Sequence, residues 1–170
     1  MARVLIVGCG CRGQELAREL NTIGYAVRGT TRNPDRRKDI EAAGAEAFLA
    51  DPDRVGTLIP ALAGVTVMCL LLASATGSPE HLRALHTTRL EMLMQRTIDT
   101  TIHGLLYEGK GTIDEHLLTA GAELVQRKCE QSLIRYAVLR AERANWLTEA
   151  VTAIDALLAP SSAGAGPTAA

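Results

Sequence analysis

The sequence predicts an α/β fold built on one parallel sheet of six strands in the order 3-2-1-4-5-6, with helices on both faces. Along its 170 residues, six short apolar runs alternate with amphipathic runs, which is typical of parallel strands joined by crossover helices. The first run, Arg3–Val7, leads into the glycine spacing G-x-G-x-x-G, which begins a βαβ unit. Because crossovers are right-handed, few topologies remain, and the doubly wound Rossmann order fits best.

The elements follow from the apolar runs and from the residues that begin and end helices. The predicted strands are 3–7, 26–32, 46–51, 65–73, 101–108 and 133–140, and the predicted helices are 14–23, 33–45, 52–64, 80–96, 114–132 and 141–159. Gly24 and Gly44 end the first two helices, and Asn33 before Pro34 is a typical N-cap. The run 65–73 is the most hydrophobic segment, so we expect it near the centre of the sheet.

Composition limits the class of protein and its partners. Residues 1–159 form one predicted domain, and the small-residue segment 160–170 is a predicted disordered tail. A net charge of -1 and 3% aromatic residues argue against a nucleic-acid partner. The longest apolar run is too short to span a bilayer, and the first residues do not resemble a signal peptide. Four cysteines without framework spacing indicate the cytoplasm.

The three glycines after the first strand predict a dinucleotide site. Gly8 and Gly10 allow the backbone to turn tightly beside a pyrophosphate, and Gly13 allows the helix to pack closely on the strand. The first amides of the helix, at the positive end of its dipole, then face the phosphates. The alternative is a glycine turn kept for packing in a fold that binds no nucleotide.

The end of the second strand favours NADP over NAD. About 20 residues after the loop, an NAD site usually has an acid, but this chain has Thr31 and Arg32 there. A guanidinium at that point would pair with a 2′-phosphate. We assign Arg36 and Arg37 to a solvent-exposed helix face, whereas Arg12 lies inside the loop, within reach of phosphate or adenine.

The segment VLIVGCGCRGQELARELNTIGYAVRGTTRNP resembles the start of atypical short-chain dehydrogenase/reductase proteins, in the NAD(P)H-binding, NmrA-like and NAD-dependent epimerase-like group. The resemblance covers the six strand–helix units, and it implies that Arg32 meets the NADP phosphate and that Asp51 lies near the adenine. Ser74, Thr76 and Ser78 follow the fourth strand, where they either contact the nicotinamide ribose or serve as turn and N-cap residues. The cofactor-binding residues that we predict are Gly8, Gly10, Cys11, Arg12, Gly13, Thr31, Arg32, Asp51, Ala73 and Ser74.

Catalytic members of that family resemble one another in a Tyr-x-x-x-Lys pair, in which the lysine lowers the pKa of the tyrosine. This spacing does not occur in the sequence, so the catalytic residues stay unassigned. Tyr107 and Lys110, at the end of the fifth strand, are the nearest substitute. The alternative is a polar turn with Tyr107 packed at its rim.

The cysteines and histidines do not predict a metal or redox site. Cys9 and Cys11 occupy variable positions of the glycine loop, where small size alone suits them. A C-x-C without a second pair is a poor zinc site. The histidines at 81, 86, 103 and 116 are not spaced as metal ligands.

Three hypotheses about function follow. The first is an NADP-binding, oxidoreductase-like protein of unassigned substrate, which as an enzyme would be an NADP-dependent oxidoreductase or epimerase-like protein. The second, implied by NmrA-like relatives, is a non-catalytic module that senses NADP(H) or binds a protein. The third is a scaffold that binds no nucleotide. The predicted helix 80–96 carries apolar residues that either pack on the sheet or form a homodimer interface.

Overall fold

A computed structural model describes residues 1–160, so the predicted tail lies outside the described residues except for Pro160. Six strands form one sheet: β1 (Arg3–Val7), β2 (Ala26–Thr31), β3 (Glu46–Leu49), β4 (Val67–Leu70), β5 (Gly104–Glu108) and β6 (Arg135–Leu139). Every neighbouring pair is parallel, and the order is β3-β2-β1-β4-β5-β6. This arrangement confirms the predicted fold.

Helices cover both faces of the sheet. They are α1 (Cys11–Ile23), α2 (Arg37–Ala42), α3 (Pro79–His86), α4 (Thr88–Thr97), α5 (Glu115–Ser132) and α6 (Trp146–Leu158), with 3₁₀ turns at Pro34–Arg36, Val55–Leu62 and Arg143–Asn145. On one face, Ile6 and Leu106 pack with α1, α2 and α6. On the other, Leu5 and Leu105 pack with α3, α4, α5 and the 3₁₀ segment 55–62. Alternate strand residues therefore pack into two separate cores, one on each face of the sheet, as a doubly wound sheet requires.

The single helix predicted over 80–96 is wrong, because the chain forms two helices that meet at Thr87. Thr87 has φ −129° and ψ −91°, outside the helical region. Its hydroxyl donates to the carbonyl of Arg83 at 2.7 Å, a local bond that competes with the helical ladder. Leu85, Leu90 and Leu93 are buried in the core under the sheet, so most of the apolar residues considered for a dimer interface pack internally.

Helix ends follow the capping residues more closely than the strand predictions follow the strand ends. Asn33 and Ser78 each accept a backbone N–H as N-caps, although the helix after Asn33 begins as a 3₁₀ turn. The segment 52–64 forms only 3₁₀ structure, in keeping with its internal Pro60. The fourth strand stops at Leu70 rather than at residue 73, and the next two residues, Leu71 and Leu72, line a crevice.

Candidate functional site

The turn of the glycine loop after β1 requires a glycine at position 8. Gly8 has φ 82°, and a Cβ built there would lie 2.6 Å from the carbonyl oxygen of Leu71. Its N–H donates to the hydroxyl of Thr30 at 3.3 Å, and the Cys9 N–H donates to the Thr30 carbonyl at 3.0 Å. The end of β2 therefore holds the loop in its turn.

Cys9 packs beneath the loop. A Cβ on Gly13 would meet Ile6 at 3.2 Å and the Cys9 sulfur at 3.3 Å, and a Cβ on Gly29 would lie 2.8 Å from that sulfur. Burial raises the pKa of the Cys9 thiol to about 12, so the group stays protonated. Cys9 thus packs as a small apolar residue between α1 and β2. This agrees with the interpretation that its small size alone suits it to the loop.

Gly10 and the start of α1 face open space. Apart from Gly10 itself and its two chain neighbours, no atom lies within 4 Å of a Cβ built on Gly10. No side chain caps the helix, whose first residue, Cys11, is exposed. The first amides of any helix lack an intrahelical acceptor. This end of α1 is therefore an uncapped donor surface, which is what a phosphate group requires.

A crevice of about 1040 Å³ runs along the carboxyl ends of the strands in front of the loop. Of the residues predicted to bind cofactor or act in catalysis, those that line it are Gly8, Gly10, Cys11, Arg12, Gly13, Thr31, Arg32, Ser74 and Lys110. Asp51 is absent from the lining, and its carboxylate accepts the N–H of Asp53 at 3.0 Å. Ala73 is fully buried, and its carbonyl accepts the N–H of Ile113 at 3.0 Å. The structure thus brings most predicted residues together but not these two side chains.

One half of the crevice, on the β2 side of β1, is basic. Arg32 is exposed and lies across the opening, with Nη2 3.4 Å from the carbonyl oxygen of Thr76. Arg36 also lines this half, although sequence reasoning assigned it to a solvent-exposed face. Arg37 lies outside the lining. Two guanidinium groups therefore border the part of the crevice next to the end of β2.

The other half, on the β4–β5 side, holds a buried ion pair that sequence reasoning missed. Glu108 ends β5, and its side chain is only 2% exposed. Arg12 donates through Nη2 to the Glu108 carboxylate at 2.9 Å and to the Ser74 hydroxyl at 3.1 Å, and its guanidinium lies 5.3 Å from the centre of the Trp146 ring. Burial raises the pKa of Glu108 to about 7, and the charge and hydrogen bond of Arg12 lower it in part.

The loop after β5 is pressed against this ion pair. Ser74 accepts the N–H of Thr112 at 3.3 Å as well as the Arg12 donor. A Cβ built on Gly111 would lie 2.7 Å from the Ser74 hydroxyl. Lys110, exposed at the rim, forms an ion pair with Glu142. The contacts of Ser74 tie three segments of the crevice together, so its hydroxyl does more than fill a turn.

The expectation that Tyr107 lies at the rim of a polar turn, or beside the crevice, is wrong. Its side chain is 1% exposed and its hydroxyl donates to Nδ1 of His86 at 2.7 Å, while His86 Nε2 donates to the Leu72 carbonyl at 3.1 Å. Burial lowers the pKa of His86 and raises that of Tyr107. Successive strand residues point to opposite faces, so Glu108 faces the crevice while Tyr107 enters the core beside α5. Tyr107 and Lys110 do not converge.

Within residues 1–160, no group of three or more His, Cys, Asp or Glu side chains is placed to hold a metal ion. None of the helices in the same range combines the length and apolar character that crossing a membrane requires.

No protein-family model matches the chain, and no curated protein matches its sequence. Similar solved structures include UDP-glucose 4-epimerase from Thermotoga maritima with UDP-glucose, with TM-score 0.67 and 12% identity, covering 81% of this chain and 54% of that one. A short-chain dehydrogenase/reductase superfamily protein from Agrobacterium tumefaciens with bound NAD has TM-score 0.66 and 18% identity, covering 81% and 48%. Vestitone reductase from alfalfa, Medicago sativa, has TM-score 0.60 and 17% identity, covering 81% and 56%.

These likenesses concern the fold. The resemblance to short-chain dehydrogenase/reductase and epimerase proteins implies a Rossmann fold. That fold is confirmed, because solved structures with those names are similar to this six-stranded parallel sheet with its helices. The chain spans about half the length of each of the three solved structures.

Proposed function

We propose that this chain binds a nicotinamide dinucleotide across the carboxyl edge of its sheet, with a preference for NADP(H), as an oxidoreductase-like Rossmann protein. The observation that carries the proposal is the uncapped start of α1 behind an unobstructed Gly10, opening into a crevice of about 1040 Å³. The bound NAD named for the Agrobacterium tumefaciens protein of similar fold supports it. Asp51 and Ala73 stay in the proposal as backbone neighbours of the site.

The residues at hand fit such a cofactor in three places. The amides of residues 11–13 would receive the pyrophosphate, because they begin a helix without a side-chain cap. Arg32, with Arg36, would hold a 2′-phosphate, since both line the crevice beside the end of β2. Ser74 would lie on the nicotinamide side, past the switch point between β1 and β4.

A bound nicotinamide supplies or accepts a hydride. Among the residues that line the crevice on the β4–β5 side, Glu108, Arg12, Ser74 and Lys110 would lie beside the nicotinamide. Glu108 holds a proton at neutral pH more readily than an exposed carboxyl does, and Arg12 fixes its orientation. Tyr107 of β5 cannot hold a proton for the crevice in the same way, because its hydroxyl is hydrogen-bonded to His86 in the core.

That placement of Tyr107 favours a second candidate function, a non-catalytic module that senses NADP(H) or passes its binding state to a protein partner. The lysine nearest to it in sequence, Lys110, is paired with Glu142 at the rim. The crevice would then read which nucleotide is present without transforming a substrate.

The test is calorimetric titration of the purified chain with NADPH and with NADH. We expect micromolar binding of NADPH and weaker binding of NADH. Arg32→Ala should weaken NADPH binding about tenfold, in line with the loss of a charge-assisted phosphate contact, and leave NADH binding nearly unchanged. Arg37→Ala is the matched control, because Arg37 belongs to the same segment but lies outside the crevice lining.

Equal affinity for the two nucleotides, unaffected by Arg32→Ala, would contradict the NADP preference. No binding of either nucleotide to a folded chain would contradict the proposal as a whole and leave the scaffold hypothesis. If NADPH does bind, turnover of carbonyl compounds by the NADPH-bound chain would distinguish the oxidoreductase from the sensor.

A further inference from the structure

A buried carboxylate lies in the half of the crevice opposite to Arg32. Glu108 ends β5, two strands from β1 on one side, whereas Arg32 follows β2 on the other side. A dinucleotide lies across the switch point of such a sheet with one nucleotide on each side. If the adenosine half lies toward Arg32, the nicotinamide half lies on the side of Glu108.

Arg12 pairs with that carboxylate and still has donors for a second anion. It reaches Glu108 through Nη2 alone, and no hydrogen bond within residues 1–160 uses its Nε or Nη1. Arg12 is also the second residue of α1, beside the amides that would receive a pyrophosphate. A guanidinium has five donors in a fixed plane, so a bound pyrophosphate would share its charge with Glu108 and leave the carboxylate partly uncompensated.

We propose that Glu108 makes this crevice bind the oxidised cofactor NADP⁺ more tightly than NADPH. The inference rests on the proposed function and assigns a specificity-determining residue to that site. The oxidised nicotinamide ring carries a positive charge that the reduced ring lacks. A carboxylate that is 2% exposed attracts that charge more strongly than a solvated one, because little water screens it. Contacts to the phosphates and the adenosine are common to both forms and cancel in the ratio of affinities.

The charged and titratable groups around Glu108 do not supply a substitute for it. Arg12 of α1 pairs with Glu108, and Tyr107 precedes it in β5. Lys110 after β5 and Glu142 and Arg143 before α6 line the same crevice, while Arg140 after β6 acts on Tyr107. Glu142 is exposed and paired with Lys110. The remaining group that can form an anion is Tyr107, which stays neutral because burial raises its pKa. Its side chain also lies on the opposite face of the sheet. Glu108 is therefore the carboxylate within this set that combines burial with access to the crevice.

The experiment measures the dissociation constants of NADP⁺ and NADPH at about pH 8, above the pKa of about 7 of Glu108. It compares three chains: wild type, Glu108→Gln and Glu46→Gln. We expect wild type to favour NADP⁺ by roughly three- to tenfold, and Glu108→Gln to bind both forms about equally. Glu46→Gln is the matched control, because Glu46 pairs with Arg28 at the same 2.9 Å separation but begins β3, away from the crevice. Its ratio should equal that of wild type.

A second measurement uses the native chain alone and so does not depend on how Glu108→Gln folds. At about pH 6, below the pKa of about 7, Glu108 is largely protonated, and the preference for NADP⁺ should fall toward equality. His81, which also lines the crevice, lies 3.7 Å from the Asp53 carboxylate and is present in wild type and in both variants. A ratio that is the same in wild type and Glu108→Gln, or that does not change with pH, overturns the inference while the proposed function stands. Failure of both nucleotides to bind wild type would overturn the proposed function instead.

Discussion

The buried carboxyl of Glu108 should make the protein less stable as the pH rises toward neutrality. Burial raises its pKa from the ordinary 4.5 to about 7, after the opposing effect of Arg12. The folded chain therefore binds this proton more tightly than the unfolded chain does. The stabilising contribution is fully present below about pH 4.5 and is lost as the pH rises through about 7.

The size of the loss follows from the two pKa values. Each pH unit between 4.5 and about 7 corresponds to about 1.4 kcal/mol, so the loss reaches about 3 kcal/mol at pH values above 7. Glu108→Gln has no ionisable group there, yet it keeps an oxygen that can accept the Arg12 donor. The free energy of unfolding of the variant minus that of wild type should therefore increase by about 3 kcal/mol between about pH 4.5 and about pH 8.

Urea unfolding of wild type and Glu108→Gln at a series of pH values measures this difference directly. Other carboxyls titrate in both chains and cancel in the subtraction. Glu46→Gln should give a curve nearly parallel to wild type, because Glu46 is half exposed. Parallel curves for wild type and Glu108→Gln would refute the reasoning, since they would mean that Glu108 has an ordinary pKa in the folded protein.

Three further predictions concern the glycine loop and two buried polar groups. Gly8→Ala should lower the free energy of unfolding by about 2 kcal/mol, because Gly8 has a positive φ. Gly10→Ala should fold normally and bind NADPH more weakly. Urea unfolding measures the first effect and calorimetry the second. Tyr107→Phe should cost about 1 kcal/mol through loss of the His86 hydrogen bond and leave NADPH affinity unchanged, and a weaker affinity would argue for a role in the crevice. Arg28→Met should cost about 2 kcal/mol in thermal unfolding, because the two carbonyls that Arg28 bonds lose a donor; an unchanged midpoint would contradict this.

The fold and the glycine loop could be predicted because their signals are local. The βα alternation is visible as runs of apolar residues, and the loop needs glycines at fixed spacing whatever surrounds it. Thr31, Arg32 and Ser74 were placed at the crevice for the same reason, since the ends of parallel strands share one edge. Their roles in cofactor binding stay predictions.

The Glu108–Arg12 pair could not be predicted, because a strand buried on both faces carries no alternation in its sequence. GLLYE is buried throughout, so nothing in it says whether residue 107 or 108 points to the crevice. The signal that was available is an acidic residue ending an apolar strand, where an unpaired carboxylate would be costly. The break at Thr87 was missed for a different reason: apolar spacing continues through it, and the competing side-chain bond is visible only in three dimensions.

The position of β1 in the middle of the sheet has a consequence for how the protein is made. β1 is synthesised before the other five strands of the sheet. One of its two partners, β4, follows some 60 residues later, because Val4 pairs with Val67. Until then β1 has one open edge, and the loop that it carries lacks the Leu71 carbonyl that presses on Gly8. Ser74 and Glu108 emerge later still. The edge of the crevice is therefore complete only after β5 has emerged, and pairing over such separations is slow compared with local helix formation.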